Sequence, residues 1–224
     1  MNIEPIAYIK TDFKSKFGIP RQSGRISCAV GTVVFAKEYR NPDYIKGISE
    51  FSHLWLLFDF SKSHRESLSP LVRPPRLGGN KKVGVYASHS PFRPNFIGLS
   101  SVKLIEVKKD EKLGYVLIVS GADLLDGTPI YDIKPYISYT DCHSDAVCSY
   151  ADENKSHRLP VAFLNGTENL LSEKERELIT ECLADDPRPS YQGDGKIYKM
   201  AIFNKDISFF VKDNTLYVDE IKSK

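Results

Sequence analysis

The first two thirds of the chain are a succession of short strand-forming runs with no long helical period between them. The runs "EPIAYIKT", "ISCAVGTVVFA", "FSHLWLLFDF", "KVGVYASH", "SSVKLIEVKK" and "GYVLIVSGADL" are rich in Val, Ile, Tyr and Phe and are bounded by Gly, Pro, Asn and Asp. Branched and aromatic side chains suit a pleated, half-buried surface. With no helices to serve as crossovers, such strands pair antiparallel, and a sheet folded on itself has no exposed edge. The pattern predicts a mainly β protein with an antiparallel sheet, closed or folded on itself, over residues 1–155.

Behind "SYADENKSH" the character changes. "RLPVAFLN" reads as a strand, and "LSEKERELITECLADDPRP" as a helix with Ser172 as N-cap and Glu175 closing a capping box. Leu178, Ile179, Cys182 and Leu183 give that helix one apolar face, and Pro187 stops it. Three further strand-like runs, "KIYKMAIF", "DISFFVKD" and "NTLYVDEI", complete a small α+β domain over residues 156–224.

The remaining composition narrows the function classes. No apolar run approaches the roughly 18 residues of a membrane span, and "MNIEPIAYIK" carries an early acid and lacks an apolar signal core. A soluble cytoplasmic protein with no membrane partner is the expectation. Cys28, Cys142, Cys148 and Cys182 form no C-x-x-C pair, and "DCHSDAVC" has the wrong spacing for a zinc knuckle, so no metal is expected. A net charge of +2 does not by itself imply nucleic acid. Yet between Ser61 and Arg93 stand Lys62, Arg65, Arg73, Arg76, Lys81, Lys82 and Arg93 against the single acid Glu66. Phosphate backbones are the commonest partner of such a field, and a solvated surface loop is the competing account.

There is no G-x-G-x-x-G between a strand and a helix and no G-x-x-x-x-G-K loop, so a nucleotide-like cofactor would have to be held by loops of the sheet. Three loops carry suitable residues. In "FGIPRQSGR", Pro20 stiffens the backbone before Arg21 and Gln22, a charged fork and a bifunctional amide. In "YASHSPFRPNFIGLS", Pro91 and Pro94 forbid continued pairing and present Arg93 from a stiff turn. In "ADLLDGTPIYDIKPYI", Asp126 and Gly127 form a tight-turn pair, and Asp123, Asp126 and Asp132 supply carboxylates. Each loop also has a plain reading as a turn. His53, inside an apolar run, reads as a hydrogen-bonded core histidine.

Taken together, "IPRQ", "FSHLW", "RPPRLGGN", "SPFRPNFIGLS", "DGTPIYDIKPYI" and "DPRPSY", in that order and over essentially the whole chain, resemble the TsaA/TrmO family. The resemblance implies a β-barrel methyltransferase that uses S-adenosylmethionine to methylate N6 of adenosine 37 in the tRNA anticodon loop, on a base already carrying a threonylcarbamoyl group, and that forms a homodimer. Carried over motif by motif, cofactor contacts would come from Pro20, Arg21, Gln22, Ser61, Lys62, His89, Leu99, Leu124, Leu125, Asp126 and Gly127. His89 departs from the arginine that many members carry there. Asp126, Asp132 and Arg93 are candidates for the chemistry, with Asp126 also a candidate for the cofactor's ribose or amine. Arg73, Arg76, Lys81, Lys82, Arg93 and Arg188 are candidates for tRNA contact, and Tyr131, Tyr136 or Tyr191 for stacking on a splayed base. Two alternatives stay open: a barrel that binds RNA without catalysis, and a methyltransferase for another acceptor.

Overall fold

The computed structural model describes residues 2–75, 77, 81–153 and 155–223. It divides into two compact units, one of residues 1–12, 21–72 and 83–146, the other of 13–20, 73–82 and 147–224. Two short stretches that lie within 1–155 in sequence, 13–20 and 73–82, thus belong to the second unit.

The first unit contains β1 (Ala7–Lys10), β2 (Val30–Phe35), β3 (His53–Asp59), β4 (Leu71–Val72), β5 (Val83–Gly84), β6 (Ile97–Asp110), β7 (Gly114–Ser120) and β8 (Thr128–Pro135). Six of them pair antiparallel in the order β1–β2–β7–β6–β3–β8, and β8 pairs back onto β1, so none of the six has an unpaired side. Strand alternation fills the interior. Ala7, Ile9, Val33, Phe35, Leu54, Leu56, Phe58, Val102, Leu104, Leu117, Val119 and Ile130 point into one core, while Trp55, Leu57 and Asp59 take the other face of β3.

Two elements differ from the expectation. "DGTPIYDIKPYI", read as a loop, is mostly strand β8 despite Pro129 and Pro135. β1 pairs with β8 only over Thr128–Ile130 and β3 only over Ile130–Pro135, so each proline has a strand on one side alone and its missing N–H breaks no ladder. "KVGVYASH" yields only Val83–Gly84, because Val85–Ala87 turn as a 3-10 helix. There the Val85 carbonyl accepts from Ser88 Oγ at 2.9 Å and from the Arg93 guanidinium at 3.2 Å. His53 is a third departure: it is exposed, and its Nδ1 meets Ser52 Oγ at 2.9 Å.

Gly98 sits opposite Phe58, and a Cβ built there would collide with the Phe58 ring. Gly98→Val is expected to cost ~1–3 kcal/mol by overpacking. Urea unfolding should show that loss, and Phe58→Leu in the same chain should restore part of it; equal stability of Gly98→Val and wild type would mean the ring moves freely.

The second unit contains β9 (Val161–Phe163), β10 (Tyr198–Ile202), β11 (Lys205–Lys212) and β12 (Thr215–Ser223), in the sheet order β10–β11–β12–β9 with β9 parallel to β12. The helix Glu173–Ala184 forms as expected. Ser172 Oγ accepts from Glu175 N, the Glu175 carboxylate accepts from Ser172 N at 2.9 Å, and Leu178, Ile179, Cys182 and Leu183 are buried. Segment 13–20 joins this unit through a bridge between Phe13 and Ile202 and through Phe17, whose ring stacks on Tyr198 at 6.0 Å and on Phe209 at 6.1 Å. Among the described residues no helix is long and apolar enough to cross a membrane.

Candidate cofactor and substrate site

In the first unit the three loops singled out in the sequence are stitched together by polar contacts. His89 Nδ1 donates to the Gln22 amide oxygen at 2.8 Å, joining the first loop to the second. Gly24 N donates to Gly121 O at 2.9 Å, joining the first to the third. The backbones approach so closely there that a Cβ on Gly121, at φ +76°, would lie 2.9 Å from Gly24 Cα. Only glycine meets both demands without strain.

Asp123 completes the stitching. Its carboxyl accepts from Ser100 Oγ on β6 at 2.7 Å and from the Ser23 backbone. Burial pushes it up from its ordinary 3.8 to about 6, against the lowering pull of those hydrogen bonds. In the sequence Asp123 is only one of three neighbouring carboxylates; its bond to Ser100, 23 residues away, has no local signature.

Asp126 and Asp132, the two carboxylates proposed for the chemistry, have different surroundings. Asp126 Oδ1 accepts from Thr11 N at 3.0 Å, while Thr11 Oγ1 donates to Leu124 O at 3.0 Å, so this carboxylate helps tie the third loop to the end of β1. Leu124 is buried, Leu125 and Asp126 are half-buried, and Gly127 is exposed with open space where a Cβ would point. Asp132 lies on the outer face of β8, 45% exposed, with Lys134 Nζ 3.5 Å from its Oδ2. It stands opposite Leu57, which stands opposite Leu99, so one row across β8, β3 and β6 carries Asp132, Leu57 and the 57% exposed Leu99.

Further along the same face of β3 is a buried carboxylate that sequence reading passed over. Asp59 is 8% exposed and pairs with His64 Nε2 at 2.7 Å. The signal was present as a lone acid closing "FSHLWLLFDF" with a histidine five residues on. The loop between them turns through Ser63 N donating to Phe60 O at 2.7 Å, which sets Ser61 and the exposed Lys62 beside this pair.

Arg93 is half-buried, and its Nη1 donates to Ser88 O at 2.7 Å and to Val85 O at 3.2 Å, so it braces the proline turn from within. That turn borders an apolar cleft of about 340 Å³ lined by Leu68, Val85, Tyr86, Phe92 and Pro94 among others. Tyr86 is 79% exposed, and the Arg65 guanidinium lies 3.2 Å from the Phe92 ring centroid. Of the other stacking candidates, Tyr131 is half-buried and Tyr136 packs against Trp55 at 5.4 Å.

In the second unit, Arg73, Lys81 and Lys82 are exposed; Arg76 lies outside the described residues. Ser190 holds this basic segment by donating from its N and Oγ to Pro75 O, at 3.0 and 2.8 Å, which joins "RPPR" to "DPRPSY". Tyr191 is 60% exposed beside that joint. Arg188 does not fit a role as a phosphate contact: it is buried, and its Nε donates to the equally buried Asp186 at 2.9 Å. A guanidinium already neutralised and withdrawn from solvent has no charge to offer a phosphate.

The polar inventory fits S-adenosylmethionine. Arg21 and Lys62 suit a carboxylate, Asp126 and Asp132 suit an ammonium or ribose hydroxyls, exposed Leu99 suits an adenine face, and the open side of Gly127 lets a ligand approach the backbone. A mainly β chain with these loops and no dinucleotide glycine motif is a cofactor-binding protein outside the doubly wound class.

Comparison with known proteins makes this specific. The family model for the tRNA-methyltransferase O N-terminal domain matches residues 8–142, and that for the TrmO C-terminal domain matches residues 156–224. The tRNA (adenine(37)-N6)-methyltransferase of Escherichia coli K12 is 39% identical over 219 residues, covering 94% of this chain and 93% of its own. The protein of the same name from Eikenella corrodens is 40% identical over 76% of this chain and 97% of its own. Among solved structures, a crystal structure of TrmO from Pseudomonas aeruginosa covers all of this chain and 98% of its own, with a TM-score of 0.78 and 30% identity. The chain belongs to the tRNA-methyltransferase O family.

Proposed function

We propose that this protein methylates N6 of adenosine 37 in tRNA with S-adenosylmethionine as methyl donor, acting in the cytoplasm as a homodimer on a base that already carries a threonylcarbamoyl group. The observation that carries the reading is similarity along nearly the full chain to an enzyme with that activity, at 39% identity. The cyclically paired sheet serves as a β-barrel catalytic domain, and the 156–224 region adds tRNA contact.

The cofactor supplies an activated methyl group on a sulfonium. Everything else is positioning by the chain. Gln22, His89, Asp123 and Ser100 hold the loops in register, so that Arg21, Ser61, Lys62, Leu99 and Leu124–Gly127 face the cofactor without ordering on arrival, and Pro20 stiffens the approach to Arg21. Asp126 binds the cofactor's polar groups as well as Thr11 N. N6 is a poor nucleophile because its lone pair is delocalised; on the modified base it is a ureido nitrogen whose proton is more acidic. Assisted loss of that proton is therefore the useful chemistry. The cleft of Tyr86 and Phe92, flanked by Arg65 and braced by Arg93, accepts a splayed neighbouring base.

The test is a methyl-transfer assay with labelled S-adenosylmethionine on tRNA with and without the threonylcarbamoyl group, read by nucleoside mass spectrometry. One methyl gained on modified adenosine 37 alone supports the full reading. Gain on both tRNAs removes the prerequisite, and gain on neither removes the assignment.

Arg73, Lys81 and Lys82 are assigned to anticodon-stem phosphates. Replacing all three by Gln is expected to weaken tRNA binding and to reduce the slope of log affinity against log salt by roughly 2–3, at about 0.7–0.9 per phosphate contact. Cofactor affinity should not change. An unchanged slope in a filter-binding salt series would place the phosphates elsewhere.

A further inference from the structure

We propose that His64, aligned by Asp59, is the group that takes the N6 proton during methyl transfer. This rests on the functional reading above and adds to it a proton acceptor beside the candidates Asp126 and Asp132.

The geometry has three parts. First, Asp59 is a buried carboxylate whose Oδ1 lies 2.7 Å from His64 Nε2. An ionised carboxylate only accepts, so Nε2 carries the hydrogen and Nδ1 is left with its lone pair. Second, the imidazole lies on the Phe96 ring, with centroids 4.4 Å apart and planes 31° apart. Phe96 is fixed in turn: its φ is +52°, its N–H donates to Arg93 O, and its carbonyl accepts from Phe60 N at 2.8 Å. The ring of His64 is thus held on one edge and one face. Third, the His64 side chain stays 54% exposed, so part of its ring is accessible to a substrate. Among the described residues no hydrogen bond is made by Nδ1. A base held by a carboxylate and left open on its other nitrogen is the arrangement that general-base catalysis requires.

Its place in the fold supports the assignment. Asp59 stands opposite Ile97 on β6, and Leu57 stands opposite Leu99, so Asp59 lies one diagonal step, ~7–8 Å, from the leucine assigned to the cofactor. The charged group in contact with it is Asp59 from β3, whose charge Tyr131 of β8 also feels; its own loop carries Lys62, Arg65 and Glu66, with Arg65 held over Phe92.

In the step, the N6–H bond breaks and its proton passes to His64 Nδ1. The electron pair left on nitrogen forms the new N–C bond, and sulfur keeps the pair of the broken methyl–sulfur bond. The resulting imidazolium is neutralised by Asp59 and returns the proton to water.

The test uses the full-length protein. His64→Gln is expected to lower kcat by about 10² or more and to abolish the acidic limb of the pH–rate profile, with cofactor and tRNA affinity kept. Asp59→Asn, a positioning change, should lower kcat at least about tenfold and alter the same limb. Imidazole should partly rescue His64→Gly. Independently of turnover, nitrogen NMR of the unliganded protein should show the Nε2–H tautomer of His64, lost in Asp59→Asn. If wild type methylates tRNA and His64→Gln keeps its rate and acidic limb, or if NMR finds the proton on Nδ1, the proposal falls and the function stands. If wild type transfers no methyl group, both fall.

Discussion

Replacing Asp186 by Ala is expected to destabilise the protein by ~3–5 kcal/mol, the usual consequence of leaving a buried charge without its partner. Asp186 is 2% exposed and holds Arg188 through three contacts: Nε at 2.9 Å, the backbone N at 3.3 Å and Nη2 at 3.4 Å. His157 Nε2 approaches its second oxygen at 3.3 Å. Alanine removes every one of these acceptors while the guanidinium stays in a place closed to water. Asp186 also adopts φ +47°, which Asn tolerates better than Ala. Asp186→Asn should therefore fall between wild type and Asp186→Ala, and adding Arg188→Met to it should recover stability. Urea unfolding with a common m-value measures the series. A loss under about 1 kcal/mol for Asp186→Ala would show that the pair is far more hydrated than its burial indicates.

The second large effect depends on pH. Burial raises Asp123 from 3.8 to about 6, so the folded state binds its proton more tightly than the unfolded state does. The stability associated with that proton is fully present below pH ~4 and is lost as pH rises through about 6. Between those limits the difference is worth ~3 kcal/mol. Asp123→Asn keeps an oxygen for Ser100 Oγ and Ser23 N but carries no charge. Relative to wild type it should gain ~2–3 kcal/mol between pH 4 and pH 8. Parallel stability curves for the two proteins would show that Asp123 ionises freely. Asp123→Leu, which severs the tie between loop and strand, is expected to weaken cofactor binding at every pH, because Ser23 and its neighbours Gln22 and Arg21 lose their anchor.

The Asp126 carboxylate shows why sequence motifs and roles separate. Its position in "DLLDGTP" marks it as important, and the structure has it accept from Thr11, more than a hundred residues away in sequence. The same holds for Arg93, whose Nη1 donates to the carbonyls of its own turn, and for Arg188, which is locked to Asp186. Charge and motif identify such residues as noteworthy; only the positions of their partners decide whether the charge faces a ligand.

What the sequence by itself determined is whatever local chemistry specifies. Alternating apolar runs made strands, Ser172 and Glu175 started a helix that Pro187 ended, and Pro91 and Pro94 kept the chain out of the sheet before β6. The order and spacing of six motifs carried the family. The tertiary structure decided what depends on distant neighbours. It made β8 a strand, because its two prolines each meet a partner on one side only. It drew segments 13–20 and 73–82 into the second unit through Phe17 and Ser190. It also turned a lone acid at the end of an apolar run into the buried anchor of His64. These outcomes share a physical reason. Backbone preference acts over a few residues, whereas burial, pairing and the ionisation of a carboxylate are set by groups that the chain brings together only when it folds.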